Sequence, residues 1–564
     1  MIRRHQAPDL LALLPIAGLI TFVLTRWVEV PFGDQFAVLD LLRAQHSGDL
    51  TFADFWAQHN EHRLLFPRLV MVGLAGLTHW NTLYEGLATV LFALLGFLPL
   101  AISARRERAP WCVPVISVLY FSLAMYENWL WGFQLQIPLC VLGVIVAVFC
   151  TSHSATAGWW LLPAGLAGLL ATFSFGSGLL VWPICWGILL FQPQSRTRHT
   201  TPGILIWTVL STIVIGAYLF DFHRPDLGLT HDAGRFWNVL RFVGAQIGGV
   251  LLAAPSAPAR ILGYVGIGLF ALIGATWFYV SLDRQRATLP FLAIGLFGLL
   301  AAVLTGIGRA GSGDPVAVSR YLQFTTLLWI AIVVTPFVWI ARMRSGRLRN
   351  VLGLLQGSLA ACIAVCSLGQ VPVYLDLAQR ALRTRSVARQ AALDGDWANG
   401  VRPLARPYRK LIEGLAFLEN RRLSLFRAPV QIADRPPDAC GIQPSYTPGS
   451  ADGPGVLELR QPALAGKTYR CLFSLASQPA VRLPDHRQIP LAMDPLYLQS
   501  LQPASALFAG HQATFDADGV ARIEIRIPRT PDAQGTRIHF ALYLVDARAP
   551  FSIGRICRGA DFRL

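Results

Sequence analysis

The chain has 564 residues, of which 54% are hydrophobic and 14% charged, well below the roughly 25% charged residues of soluble domains. Its formal net charge is +16, but short arginine clusters between apolar runs are what the cytoplasmic loops of a membrane protein carry. The balance argues against a soluble enzyme and makes nucleic-acid binding a poor explanation of the basic charge.

In chain order, Arg3 and Arg4 precede an apolar run from Leu10 to Leu24, and Thr25-Arg26-Trp27 follows it without a small-residue cleavage site. That pattern reads as an uncleaved first helix whose N-terminus is cytoplasmic. Apolar segments recur near 64–79, 86–103, 110–126, 132–150, 158–175, 179–191, 203–220, 236–254, 261–281, 288–306, 321–341 and 350–370. A crossing takes about 20 residues, so the expectation is a polytopic α-helical membrane protein with about 11–13 membrane helices.

Charge sets the topology. The basic clusters are Arg105-Arg106-Glu107-Arg108, Arg196-Thr197-Arg198, Asp283-Arg284-Gln285-Arg286 and Arg342 through Arg349. All fall on the side of Arg3 and Arg4 if 64–79 and 236–254 lie at the interface or re-enter, which leaves about eleven crossings. The 26–85 loop, Tyr126-Glu127-Asn128, Phe175 to Gly178, the 221–235 loop and Gly308 to Arg320 then share the outer face, with everything after about Val371.

The expected domains are a transmembrane region over 1–374, a basic amphipathic helical connector over 375–427 and a C-terminal β-rich domain over 428–564. In the last, Val456 to Leu459, Ala521 to Ile527 and Ile538 to Val545 alternate at period two between Pro- and Gly-rich turns, a β-sandwich-like pattern on the outer, periplasmic side. Six of the nine cysteines lie in apolar runs; Cys440, Cys471 and Cys557 do not, and a Cys440–Cys471 bridge with Cys557 left over is one pairing. Sequence alone does not fix it.

The densest polar stretch is Gln58-His59-Asn60-Glu61-His62-Arg63, followed by Pro67-Arg68. Ionisable groups at a membrane boundary are costly unless paired, hydrated or used. On a helix, His59, His62 and Arg63 would share one face. The imidazoles and Asn60 then suit sugar hydroxyls or phosphate, and Arg63 and Arg68 suit phosphate oxygens; a hydrated interfacial helix with internal salt bridges is the bland alternative. Two imidazoles without a third local ligand make a weak metal site, so no metal or other cofactor is assigned, a divalent ion staying open.

Asp34, in the turn Pro31-Phe32-Gly33-Asp34-Gln35, is a candidate general base, a metal ligand or a helix N-cap; Glu61 is the second candidate base. Glu127, Asn128, Gln134 and Gln136 stand among Trp129, Trp131 and Phe133, where they could read sugar hydroxyls or bond helix to helix. Gly306 to Gly313 with Arg309, then Arg320 and Tyr321, could cradle an anion, or be a loop with topological arginines. The nucleotide P-loop ending is missing, and so are a Gly-x-Ser-x-Gly elbow, an HExxH helix and tandem Cys motifs.

With Asp34 soon after the first helix and Glu127 at the outer end of a later one, residues 1–370 resemble the GT-C class of membrane glycosyltransferases. The likeness is architectural. The class often has paired acids where this chain has Asp34-Gln35, and commonly Asp where it has Glu127. The resemblance implies a polyprenyl-phosphate sugar as donor, a lipid, glycan or protein acceptor, contact with membrane lipids, and chemistry at the periplasmic face of a bacterial inner membrane. A transporter or flippase of lipid-linked sugars and a non-catalytic envelope-assembly subunit are the competing readings.

Overall fold

The computed structural model describes residues 7–154, 157–191, 200–223, 234–253, 257–309, 318–393, 400–427, 442–449, 453–477, 480–483, 488–527, 536–546 and 552–563. Arg3, Arg4, Arg196 to Arg198, Gly311 to Gly313, Cys440 and most of the 221–235 loop lie outside the described residues. Two compact units divide the chain at Arg383 and Thr384. The expected 375–427 connector holds most of the helix Val371–Leu393 and the whole of the helix Tyr408–Arg421.

Eight helices among the described residues are long and apolar enough to cross a membrane, fewer than the expected eleven to thirteen. They include Ala7–Arg26, Leu83–Arg106, Leu282–Arg309 and the run Arg347–Leu393. The shortfall has a local cause: the expected 110–126 segment forms only Cys112–Tyr120, and the 158–175 segment only Leu161–Thr172. The doubtful segments form Leu65–Thr78 and Arg235–Gly248, 14 residues each, about 21 Å at 1.5 Å per residue and short of a roughly 30 Å hydrocarbon core. Apolar side chains such as Leu14, Leu98, Leu205, Ile213 and Leu354 stand exposed on the long helices, as a lipid-facing surface requires.

Ion pairs show where the basic clusters go. Arg105, at the end of the 83–106 helix, meets Asp9 at the start of the first helix at 2.7 Å. Arg342 bonds both Glu107 and Asp283. The Arg105 to Arg108, Asp283 to Arg286 and Arg342 clusters therefore share one end of the bundle, together with the first helix's N-terminus.

The second unit contains two four-stranded antiparallel sheets. In one, Val520–Ile525 pairs with Gly455–Arg460, Ile523 opposite Leu457 and Arg522 opposite Glu458. Their alternation turns Leu457, Leu459, Ile523 and Ile525 inward, while Arg522 and Glu458 form a 3.1 Å surface pair. In the other sheet Leu542 lies between Cys471 and Cys557, and one apolar core draws on residues of both sheets. Cys557 is disulfide-bonded and Cys471 is a free, buried thiol. The Cys440–Cys471 pairing, left open by the sequence, is therefore excluded: Cys471 packs into the sheet core as a small apolar side chain.

Candidate functional site

The polar stretch at 58–63 is a hairpin, not a helix. Gln58–His59 pairs with His62–Arg63, His59 directly opposite His62, and Asn60 turns the chain at φ +50°, a left-handed conformation that asparagine tolerates. The shared helical face expected for His59, His62 and Arg63 is thereby replaced. The two imidazoles are cross-strand partners, and the Asn60 side chain stands exposed at the tip.

Arg63 and Arg68 are committed to main-chain carbonyls. Arg63 donates to the carbonyls of Tyr218 (2.8 Å), Trp56 (3.1 Å) and Phe220. Two of these belong to the end of the Thr200–Leu219 helix, where carbonyls lack intrahelical donors. Arg68 donates to the carbonyls of Asp54 (3.2 Å), Phe55 (3.0 Å) and Ala57, closing the end of the short Phe52–Trp56 helix. Both guanidinium groups are buried. Their forks shape the hairpin, rather than standing open to phosphate as expected.

Glu61 and His62 belong to a second layer. Glu61 meets Arg309 at 2.5 Å. Burial alone would raise the Glu61 carboxyl, but its charged neighbours, Arg309 among them, outweigh it and hold the group below the usual range. His62 Nδ1 accepts the Gly176 N–H at 3.1 Å, so the neutral ring carries its proton on Nε2, which lies 3.6 Å from Glu61 Oε1. Burial pushes His62 down to about 4. Gly176 is required here, because a Cβ would come within 2.9 Å of that ring nitrogen. His59, its ring 5.3 Å from that of Phe133, is also held neutral, chiefly by burial.

Asp34 lies in the turn Gly33–Ala37, exposed, and caps no helix: the caps there are Phe32 and Ala37. Among the described residues it makes no hydrogen bond, while its charge acts on His59 and Arg320. Its neighbour Gln35 is buried and ties the turn down, accepting the Phe32 N–H at 3.0 Å and donating to Glu85 at 2.6 Å. Trp80 donates to the other Glu85 oxygen at 2.8 Å. Glu85, fully buried, is a residue the sequence reading missed. The signal was an acid at the edge of an apolar run, which by itself marks a site worth inspection.

Arg320 completes the cluster. It pairs with Glu127 at 3.5 Å, its own N–H donates to Glu127 at 3.2 Å, and its guanidinium stands 5.9 Å from the centre of the Trp131 ring. Trp131 in turn donates to the Phe32 carbonyl at 2.8 Å, joining this layer to the Asp34 turn. Tyr321 is buried beneath, its ring 5.1 Å from the Arg320 guanidinium. Asn128 donates to the Arg320 carbonyl (2.9 Å) and to Gln323 (3.0 Å).

Around these groups lie buried polar atoms without a hydrogen-bond partner among the described residues: Asn128 Oδ1, Gln134 Oε1, Gln136 Oε1, Ser174 Oγ and Gln323 Nε2, with His59 Nε2 and Glu61 Oε2 in the hairpin. Buried polar atoms are rarely left so in folded proteins without a water or ligand to meet them. Ser174 and Gln323 are further residues that sequence reasoning did not nominate. No three His, Cys, Asp or Glu side chains among the described residues form a metal-ligand group.

The chain matches no protein-family model, and no curated protein is similar to it in sequence.

Proposed function

We propose that the protein is a membrane glycosyltransferase of GT-C type that moves a sugar from a polyprenyl-phosphate donor to a cell-envelope acceptor. The observation that carries the reading is the pairing of functions at one end of the bundle. An exposed carboxylate, Asp34, stands in a turn that Trp131 links to a guanidinium, Arg320, beside amides and a hydroxyl that each keep a buried polar atom without a partner among the described residues. A base, an anion clamp and groups suited to sugar hydroxyls are what this transfer requires.

In this reading the acceptor oxygen attacks the anomeric carbon as Asp34 takes its proton, and the bond from that carbon to the phosphate oxygen breaks. Arg320 and Arg309 stabilise the charge gathering on the departing lipid phosphate. Glu61 is the poorer base, since its charged neighbours, Arg309 among them, lower its affinity for a proton. Asn128, Gln134, Gln136 and Gln323 bind sugar hydroxyls, and His59 and His62 offer neutral nitrogens beside them. The β-rich unit is read as a periplasmic sandwich-like domain, and the membrane as a bacterial inner membrane with a cytoplasmic N-terminus. A transporter would gather its polar groups at mid-membrane; here they cluster at helix ends, which favours an enzyme.

The test supplies radiolabelled polyprenyl-phosphate hexoses to membranes holding the wild type or Asp34→Asn and follows label into lipid, glycan and protein fractions. Transfer by the wild type alone supports the reading. Label that changes leaflet equally with both proteins points to transport, and full transfer by the variant removes Asp34 as the base.

A further inference from the structure

Four helices run from the Asp34 cluster to a second polar cluster. Leu83–Arg106 starts beside Glu85 and ends at Arg106, and Gln136–His153 starts at Gln136 and ends at His153. Leu282–Arg309 ends where Arg309 meets Glu61, and Leu322–Ala341 begins just after Arg320. Their other ends, with Arg342, enclose a cavity of about 250 Å³. At 1.5 Å per residue these helices measure about 27–42 Å, one bilayer core. The cavity therefore opens at the membrane face opposite the Asp34 cluster.

Its walls are mixed. Arg106, Arg286, Arg342, Glu107 and Asp283 form a charged rim with His153, Ser103 and Ser152, while Phe149, Ala287 and Pro290 supply apolar wall. Arg342 is matched by its bonds to Glu107 and Asp283. Among the described lining residues, three guanidinium groups stand against two carboxylates, a net of one positive charge. On the preceding turns of the first of these helices, Leu98 and Ile102 are 50% and 47% exposed, an apolar track that begins beside the rim.

We propose that this cavity binds the phosphate of an anionic phospholipid head group, with Arg106 and Arg286 as the charged contacts and the acyl chains lying along Ile102 and Leu98. A basic pocket between membrane helices at the head-group level suits that ligand. A free phosphate would satisfy the same charges but would leave the apolar wall and track unused. The site is separate from the glycosyltransferase reading and stands or falls without it.

The experiment reconstitutes the full chain in phosphatidylcholine nanodiscs with and without phosphatidylglycerol. Lipid retained after detergent extraction is quantified by native mass spectrometry. Wild type retains phosphatidylglycerol preferentially, and Arg106→Gln/Arg286→Gln loses that preference by roughly tenfold. Ser152→Trp, which fills the cavity without changing its charge, loses it too, whereas Arg108→Gln, outside the lining, keeps it. Equal retention by wild type and by the cavity variants overturns the site, as does an equal loss in Arg108→Gln. Inorganic phosphate that binds the wild type as tightly as the lipid and displaces it assigns the cavity to a free anion and overturns the lipid.

Discussion

Glu61 Oε1 and Arg309 Nη2 meet at 2.5 Å across 248 residues of sequence. The contact fastens the tip of the 58–63 hairpin to the end of the 282–309 helix. Both side chains are about a third exposed, so the pair is partly screened. Double-mutant cycles on Glu61→Gln and Arg309→Gln, read by thermal unfolding in detergent, should give a coupling of about 1 kcal/mol. Additive effects would mean that the pair does not anchor the hairpin.

The arginines of the site divide into two kinds, and lysine separates them. Arg63→Lys and Arg68→Lys each strip carbonyl bonds that only a fork can make, and should cost about 1–3 kcal/mol of stability. Arg309→Lys and Arg320→Lys keep the charge, and should leave unfolding temperature nearly unchanged while weakening donor use in the transfer assay. The reverse pattern would return Arg63 and Arg68 to the ligand.

Asn60 is set for the turn by its backbone, φ +50°. Asn60→Gly should fold as well as the wild type, and Asn60→Val should lose about 1–2 kcal/mol, the cost of a left-handed conformation. If Asn60→Gly keeps its stability but loses transfer, the amide contacts the substrate as well.

His62 makes the site acid-sensitive. An unfolded imidazole titrates near 6.5, whereas the buried ring titrates at about 4. Between those values the unfolded state binds a proton that the native state refuses, so stability rises with pH. The contribution is complete above about pH 6.5 and lost as pH falls toward about 4, roughly 3 kcal/mol in all. His62→Gln should flatten that part of the profile of unfolding temperature against pH; an unchanged slope would place its origin elsewhere.

Gln35 holds the Asp34 turn through Phe32 and Glu85. Gln35→Leu leaves a backbone N–H and a carboxylate oxygen without a partner, and should cost about 1–3 kcal/mol. Because Asp34 itself is untouched, a fall in transfer rate with donor KM unchanged would mark Gln35 as a positioning residue. Transfer at the wild-type rate would leave it purely structural.

The membrane class and the main C-terminal strands were legible in the sequence, whereas the count of long helices was overestimated, because several apolar runs fold into helices too short to cross. Each depends on the length, polarity or period of a single segment, and those are local properties. The gathering of the Arg105 to Arg108, Asp283 to Arg286 and Arg342 clusters at one end was also legible, from their spacing between apolar runs. The site was only half legible. Which residues are polar is written in the chain, but whether Arg63 meets phosphate or the carbonyls of Tyr218 and Phe220 depends on a helix more than 150 residues away. The hairpin at 58–63 was misread because six polar residues carry no periodicity to separate a turn from a helix. Glu85 and Gln323 became visible only once packing had buried them, since a polar group's partners, and its lack of them, are decided by neighbours in space. Composition and periodicity placed this chain in a membrane; tertiary contacts decided which of its charges brace the scaffold and which remain at the site.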